Sequence, residues 1–314
     1  MSKNLVIKMS NGFGNQMFLY AAAYGFSKKL GYNLLIDNES GIKHDFKKWE
    51  KKKRINWKPN YELELFCLNT KIADDKYKFL STKKYLKRKY MKFFDKFSQK
   101  KNFLIEKMNS NKKTNYSDQY LLENYHDTIY MEGYFECEKY FYDYRNDLLK
   151  EFSFKLIPNL ENNPFIKIIE SSNVVSIAFR AERFSEFANN SSANLQKTAD
   201  FEKLTVKYIY RGVEYFRSKL KNPKFLIWSN NFENLNNHFD PNLFTFVKNK
   251  AENKILLDFL LMCKCKYFIV GPTTFHWWPA WLCNYDKKII VCPKDKELNT
   301  SSNLNFWPDS WTKI

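Results

Sequence analysis

The sequence predicts an α/β protein built as two parallel-sheet domains, and three observations carry that prediction. Short apolar runs of strand length alternate with amphipathic helical segments, the pattern of strands joined by crossover helices. The first such run passes through a glycine-bearing turn directly into a helix. A polar stretch from Pro158 to Pro164 then separates two blocks of this alternation, which predicts domains over 1–157 and 158–314.

Taken in order, Leu5, Val6 and Ile7 form a short buried strand, and Gly12 and Gly14 make the turn after it. Met17, Tyr20, Ala21, Tyr24 and Leu30 then recur at helical spacing up to Gly31, a residue suited to stopping a helix. Residues 33–37 are the next strand. They end on Asp37, a carboxylate at the strand edge where open α/β sheets place their ligands.

Residues 38–115 read as irregular and lysine-heavy, except that Leu86, Tyr90, Phe93, Phe94 and Phe97 keep helical spacing within 83–101. Nine Lys and Arg side chains in that stretch stand against one acid, Asp95. Two readings stay open for this basic amphipathic helix. It lies on anionic lipid, or it packs its apolar face on its own domain and leaves a solvated basic face. A strand at 131–135 and a helix from Tyr140 to Phe152 complete the first block. The second block reads as strands at 174–179, 225–228, 267–270 and 289–291, with helices at 201–220, 255–263 and 275–283.

The formal net charge is +18, from 52 basic and 34 acidic residues. Such an excess suits nucleic acid, an anionic membrane surface or a phosphate-bearing small molecule, and a solvated lysine surface is the plain alternative. The chain opens without a signal-peptide pattern, and no apolar run reaches the roughly 18 residues of a membrane span. A cytoplasmic protein, at most peripheral on the inner membrane, is therefore expected. The six cysteines lack partner histidines at ligand spacing and read as buried thiols rather than metal ligands.

The chemistry concentrates in four segments. Asn11-Gly12-Phe13-Gly14-Asn15-Gln16 joins a strand to a helix, where backbone N–H groups and a helix N-terminus can meet an anion. Tyr61 to Phe66, Glu132 to Phe141, and Asp258 to Leu282 with its Gly271-Pro272-Thr273-Thr274-Phe275-His276-Trp277-Trp278 core follow in order. Together these segments closely resemble glycosyltransferase family 11, the bacterial α-1,2-fucosyltransferases, along the whole chain.

The resemblance implies a GT-B-like fold, two Rossmann-like domains facing a cleft, with an acceptor-side first domain and a nucleotide-sugar-binding second domain. It also implies an inverting, metal-independent transfer of fucose from GDP-fucose to a galactose-type acceptor in a surface glycan, with no cofactor beyond that donor. Gly12, Gly14, Asn15 and Gln16 would orient sugar or diphosphate. Thr273, Thr274 and Phe275, between a strand end and a helix start, would hold the pyrophosphate, and Asp258 would read a base or cap its helix. Trp277, Trp278 and Trp281 are more simply core than sugar platform.

The family pattern His-x-Arg-Arg-x-Asp stands here as Ala178-Phe179-Arg180-Ala181-Glu182-Arg183. Arg180 survives and is suited to clamping a departing diphosphate, with Arg183 restoring charge from a new position. Glu182 and Glu186 are the candidate bases, with two surface acids as the plain reading. The family's Ser-Asp-Asp is Ser229-Asn230-Asn231, and an Asn cannot accept both guanine N–H groups as a carboxylate does. The same fold with another donor (GDP-heptose, another GDP-6-deoxyhexose or a non-guanine nucleotide sugar) is thus a second expectation. A non-catalytic protein binding nucleic acid or an anionic surface is a third, which the retained glycine loop and Arg180 disfavour.

Overall fold

A computed structural model describes residues 2–52, 58–157, 160–186, 191–249, 254–299, 301 and 303–314. Pro158 and Asn159 of the expected linker lie outside them. The chain forms two compact units, Met1–Leu156 with Ser301–Pro308, and Ile157–Thr300 with Asp309–Ile314. The segment 301–308, counted with the second domain from sequence, thus belongs to the first. Glu136 explains the return: its carboxylate accepts from the Ser301 hydroxyl, and Lys113 donates to the Ser301 carbonyl at 2.9 Å.

The first unit opens with β1 (Asn4–Lys8), α1 (Phe13–Leu30), β2 (Asn33–Asp37) and α2 (Ser40–Lys52). β3 (Lys71–Ile72), α3 (Thr82–Phe94), β4 (Lys101–Ile105), β5 (Tyr125–Glu132) and α4 (Arg145–Glu151) complete it. Its sheet runs β3-β2-β1-β5-β4, with every pairing parallel. Parallel strands are covered on both faces, and β1 accordingly buries Leu5, Val6 and Ile7 together. α1 is buried over most of its length, which is why it carries three consecutive alanines rather than an amphipathic stripe. Gly31 closes it with φ 72° and donates back to the Ser27 carbonyl, the left-handed cap that glycine takes without penalty.

Residues 38–115 are far less irregular than their composition suggests, since α2, β3, α3 and β4 all lie there. Asp37 has a structural job: its carboxylate accepts from the Glu39 and Ser40 N–H groups at 3.1 and 2.9 Å and caps α2.

The second unit contains α5 (Pro164–Ser171), β6 (Val174–Phe179), α6 (Ser192–Lys219), β7 (Lys224–Ser229) and β8 (Phe244–Phe246). It continues with α7 (Lys254–Cys263), β9 (Tyr267–Ile269), α8 (Thr274–Leu282), β10 (Ile289–Cys292) and β11 (Thr312–Lys313). The sheet order is β11-β10-β9-β6-β7-β8, again all parallel. The chain winds from β6 through β7 to β8, then returns to the other side of β6 with β9, β10 and β11. The switch therefore falls between β6 and β9.

Trp277, Trp278 and Trp281 are buried, with Trp277 stacked on Trp281 at 6.0 Å and against Trp311 at 5.4 Å. The tryptophan-rich element is core. All six cysteines are free thiols.

Candidate functional site

In a doubly wound sheet the ligand crevice lies beyond the carboxyl ends of the strands where the winding reverses. In the second unit that point is the exit of β6 beside the exit of β9. Gly271 makes their proximity possible, because a Cβ there would sit 2.3 Å from the Ala178 carbonyl oxygen. His276 ties the same two exits together. Its Nδ1 accepts from the Gly271 N–H at 3.3 Å and its Nε2 lies 3.0 Å from the Ser176 hydroxyl. Because an amide can only donate, Nδ1 is the bare nitrogen and Nε2 carries the proton. Burial pushes the imidazole down to about 3, so it is neutral and structural. Its signal in the sequence was only its place among the tryptophans.

Arg180 is the first residue beyond β6. Its terminal nitrogen pairs with the Glu186 carboxylate, while its Nε is buried with no hydrogen-bond partner among the described residues. A buried guanidinium donor without a partner is costly. Arg183 turns the other way, donating to the Pro272 carbonyl at 3.1 Å and lying over the Phe201 ring. It braces the β9 exit.

The loop after β6 is held firmly. Glu182 has the left-handed φ of 57°, a conformation that disfavours side chains other than glycine or asparagine. It is pinned there by its own N–H donating to Glu202 at 2.7 Å and by Asn231 donating to its carboxylate at 3.0 Å. Asn230 grips the Ala181 backbone from both sides, accepting from its N–H at 2.9 Å and donating to its carbonyl at 3.1 Å. An ionised carboxylate could accept here but not donate. The Asn230 side chain thus bonds the loop backbone through both its oxygen and its nitrogen. Ser229 likewise donates to the Asn231 carbonyl at 2.6 Å.

Other expected ligand residues are partly committed. The Thr273 hydroxyl caps α8 by accepting from the His276 N–H at 3.1 Å, and its own N–H goes to the Gly271 carbonyl at 2.7 Å. It retains a hydroxyl proton to donate. Thr274 opens α8 partly exposed, and Phe275 packs on Phe259 with ring centroids 5.4 Å apart. Asp258 sits within α7 rather than at its start and accepts from Asn249 at 2.6 Å, with Lys254 at 3.8 Å. Burial raises its carboxyl to about 6.

In the first unit the strained position of the glycine loop is Asn11, at φ 63°. Gly12 is extended, with φ −85° and ψ 176°. Gln16 is wholly buried and fully engaged: it donates to the Asn11 and Asn60 carbonyls at 2.8 and 2.7 Å and accepts from the Glu62 N–H at 3.0 Å. It is a hub that joins the loop to residues 60–62. Asn15 is partly exposed and Gly14 buried.

Glu62 is the residue sequence reasoning quoted without assigning it a role. Burial pushes its carboxyl up to about 7, against the opposing pull of a hydrogen bond from the Phe13 backbone. Its Oε2 is buried with no hydrogen-bond partner among the described residues. Its carboxylate thus accepts from the first residue of α1. Among the described residues no group of three or more His, Cys, Asp or Glu side chains is placed to hold a metal ion.

Two Rossmann-like units, one with an arginine at its switch point, define an enzyme of the GT-B-like class. The chain belongs to glycosyl transferase family 11, whose model matches residues 77–314, and it is a glycosyltransferase. It is 24% identical to an α-1,2-colitosyltransferase of Escherichia coli over 99% of this chain and 98% of that one. It is 26% identical to the O-antigen biosynthesis glycosyltransferase WbnK of Escherichia coli over 98% of this chain and 99% of that one. Among solved structures, NodZ α-1,6-fucosyltransferase co-crystallised with GDP, an enzyme from Bradyrhizobium, is similar at a TM-score of 0.50 and 11% identity. That likeness covers 89% of this chain and 92% of the other, and at such identity it speaks for the fold alone. The Gly12–Gln16 loop and Glu62 precede the stretch that the family model matches and fall within the two full-length similarities.

Proposed function

We propose that this protein is an inverting, metal-independent glycosyltransferase that moves a fucosyl-type deoxyhexose from a guanosine diphosphate donor onto a galactose-type hydroxyl of a bacterial surface glycan, forming an α-1,2 linkage. The observation that carries the reading is Arg180: a guanidinium with a buried, unpartnered Nε–H at the carboxyl edge of β6, beside the switch point. Leaving-group departure puts negative charge on a diphosphate oxygen, and a preorganised guanidinium stabilises that charge more in the transition state than before it. Glu186 holds Arg180 in place until the diphosphate takes its share of the guanidinium. Thr273 and the N-terminus of α8 add donors.

The acceptor hydroxyl attacks the anomeric carbon, the bond from that carbon to the diphosphate breaks, and the hydroxyl proton passes to a carboxylate. Glu62 suits this task better than Glu182 or Glu186. Its carboxyl titrates near neutrality and its Oε2 is uncommitted among the described residues, whereas Glu182 is held by Asn231 and Glu186 by Arg180. General bases work best with a pKa near the working pH.

A colitosyl donor is the second reading. It is favoured by the full-length similarity to an α-1,2-colitosyltransferase. Thermal shift against GDP, UDP, CDP and ADP, with and without EDTA, tests the donor class. Stabilisation by GDP regardless of EDTA supports the proposal, and stabilisation by UDP in place of GDP contradicts it. Product formation from GDP-fucose against GDP-colitose then separates the two readings.

A further inference from the structure

α3 is turned inside out. The face it presents to its own unit is mainly charged: Lys84, Arg88, Lys92 and Asp95 are half-buried, with Met91 among them, spaced as one stripe of a helix. Arg88 and Lys92 both bind Glu132 at the end of β5, with Arg88 Nε at 2.7 Å and Lys92 at 2.6 Å. Lys8 adds a third cation at 3.2 Å. Burial would raise the Glu132 carboxyl, but the Arg88 hydrogen bond and the three cations outweigh it and hold it at about 2. Asp95 anchors the far end by accepting from the Asn102 and Phe103 N–H groups, the latter at 2.9 Å.

The opposite stripe is apolar and faces outward. Leu86 is 58% exposed, Tyr90 65%, Phe93 55% and, one turn beyond the helix, Phe97 76%. Their rings meet one another rather than a core: Phe93 lies 5.6 Å from Phe97, and Tyr90 lies 4.3 Å from Phe94. No residue of α3 is buried. Packing of an apolar face on its own domain, one of the two readings open from the sequence, is therefore not what this helix does. Successive residues advance by about 100°, which puts Lys83 and Lys87 on one flank of the apolar stripe and Lys89 and Lys96 on the other, all exposed.

We propose that α3 is a membrane-docking element, seated on an anionic lipid bilayer with Leu86, Tyr90, Phe93 and Phe97 at the acyl boundary and the flanking lysines among anionic headgroups. Charge complementarity selects this occupant. Lysine borders on both sides of an aromatic stripe fit a negative interface, whereas a second copy of the same surface would bring the lysines against each other. The salt bridges to Glu132 fix the helix with its apolar side outward before it meets lipid, so little ordering is needed on docking. The inference does not depend on which sugar the enzyme transfers.

Co-sedimentation of the full chain with phosphatidylcholine vesicles, with and without phosphatidylglycerol, tests it. The wild type should pellet with the phosphatidylglycerol vesicles, release at high salt and stay in solution with phosphatidylcholine alone. Exchanging Lys83, Lys87, Lys89 and Lys96 for Gln should weaken partition by at least about a hundredfold, at roughly tenfold or less per lysine. Y90S/F93S/F97S should abolish it while the thermal midpoint stays unchanged, because those side chains are exposed. Wild-type protein that remains in the supernatant, variants that bind as well as wild type, or a concentration-dependent dimer that is lost in Y90S/F93S/F97S with no lipid response would each overturn the proposal.

Discussion

The carboxyl edges of the two sheets differ in what they leave uncommitted. In the second unit the uncommitted group is a cation's donor, Arg180 Nε, in a loop braced by Asn230, Asn231 and Glu202. In the first it is a carboxylate oxygen, Glu62 Oε2, in a loop braced by Gln16. Gln16 and Asn230 hold backbone at the two edges, and at each edge one ionisable side chain has a buried atom without a hydrogen-bond partner among the described residues. In the proposed function, Arg180 stabilises negative charge and Glu62 takes up a proton.

Breaking the cationic edge should have the largest effect. Arg180→Ala is expected to lower transfer by about a hundredfold to a thousandfold, the usual loss when a single preorganised donor to a developing charge is removed. It should also reduce nucleotide-dependent stabilisation in a thermal-shift titration. Glu62→Gln should cut turnover by a comparable or slightly smaller factor, about a hundredfold, yet leave nucleotide stabilisation intact. Equal loss of both properties would mean that Glu62 holds the loop rather than the proton.

The pH dependence sharpens the same contrast. Glu62 is raised to about 7, so its carboxylate form, and with it the rate, should increase as pH rises through about 7. Stability has the opposite sign. A carboxyl raised in the folded state favours folding below its unfolded value, and that contribution is lost as pH rises through about 7. Urea midpoints should therefore fall across that window in the wild type and less so in Glu62→Gln. Glu132, held at about 2, behaves in the reverse way: its contribution is present above the ordinary carboxylate range and is lost as pH falls through about 2.

The smallest effects concern the braces. Gln16→Ala removes three buried hydrogen bonds and should cost about 2–4 kcal/mol in urea unfolding. Asn230→Asp loses the donor to the Ala181 carbonyl and should cost about 1–3 kcal/mol. If Asn230→Asp instead strengthens GDP binding with no loss of stability, the residue reads the base after all.

Much of this architecture was legible in the sequence, because strands buried on both faces read as continuous apolar runs such as Leu5-Val6-Ile7 and residues 174–179. The two-residue strands β3 and β11 were not, since Lys71-Ile72 and Thr312-Lys313 pair only at sheet edges and are exposed. α3 was legible as a helix but not in its orientation, which Glu132 decides from forty residues away through Arg88 and Lys92. At the candidate site, the position of Arg180 just beyond β6 was legible from the apolar run that precedes it. The backbone bonds of Gln16 and Asn230 were not legible, because a side-chain amide looks the same in sequence whether it faces a ligand or a carbonyl. Glu62 escaped for a related reason: its raised affinity for a proton comes from burial created by the folded chain.

The most direct test is calorimetric titration of GDP into the wild type and into Arg180→Ala at neutral pH. The account predicts saturable binding by the wild type, and binding weakened at least about tenfold, equivalent to about 1.4 kcal/mol, when Arg180 is removed. Undiminished GDP binding by Arg180→Ala would contradict it.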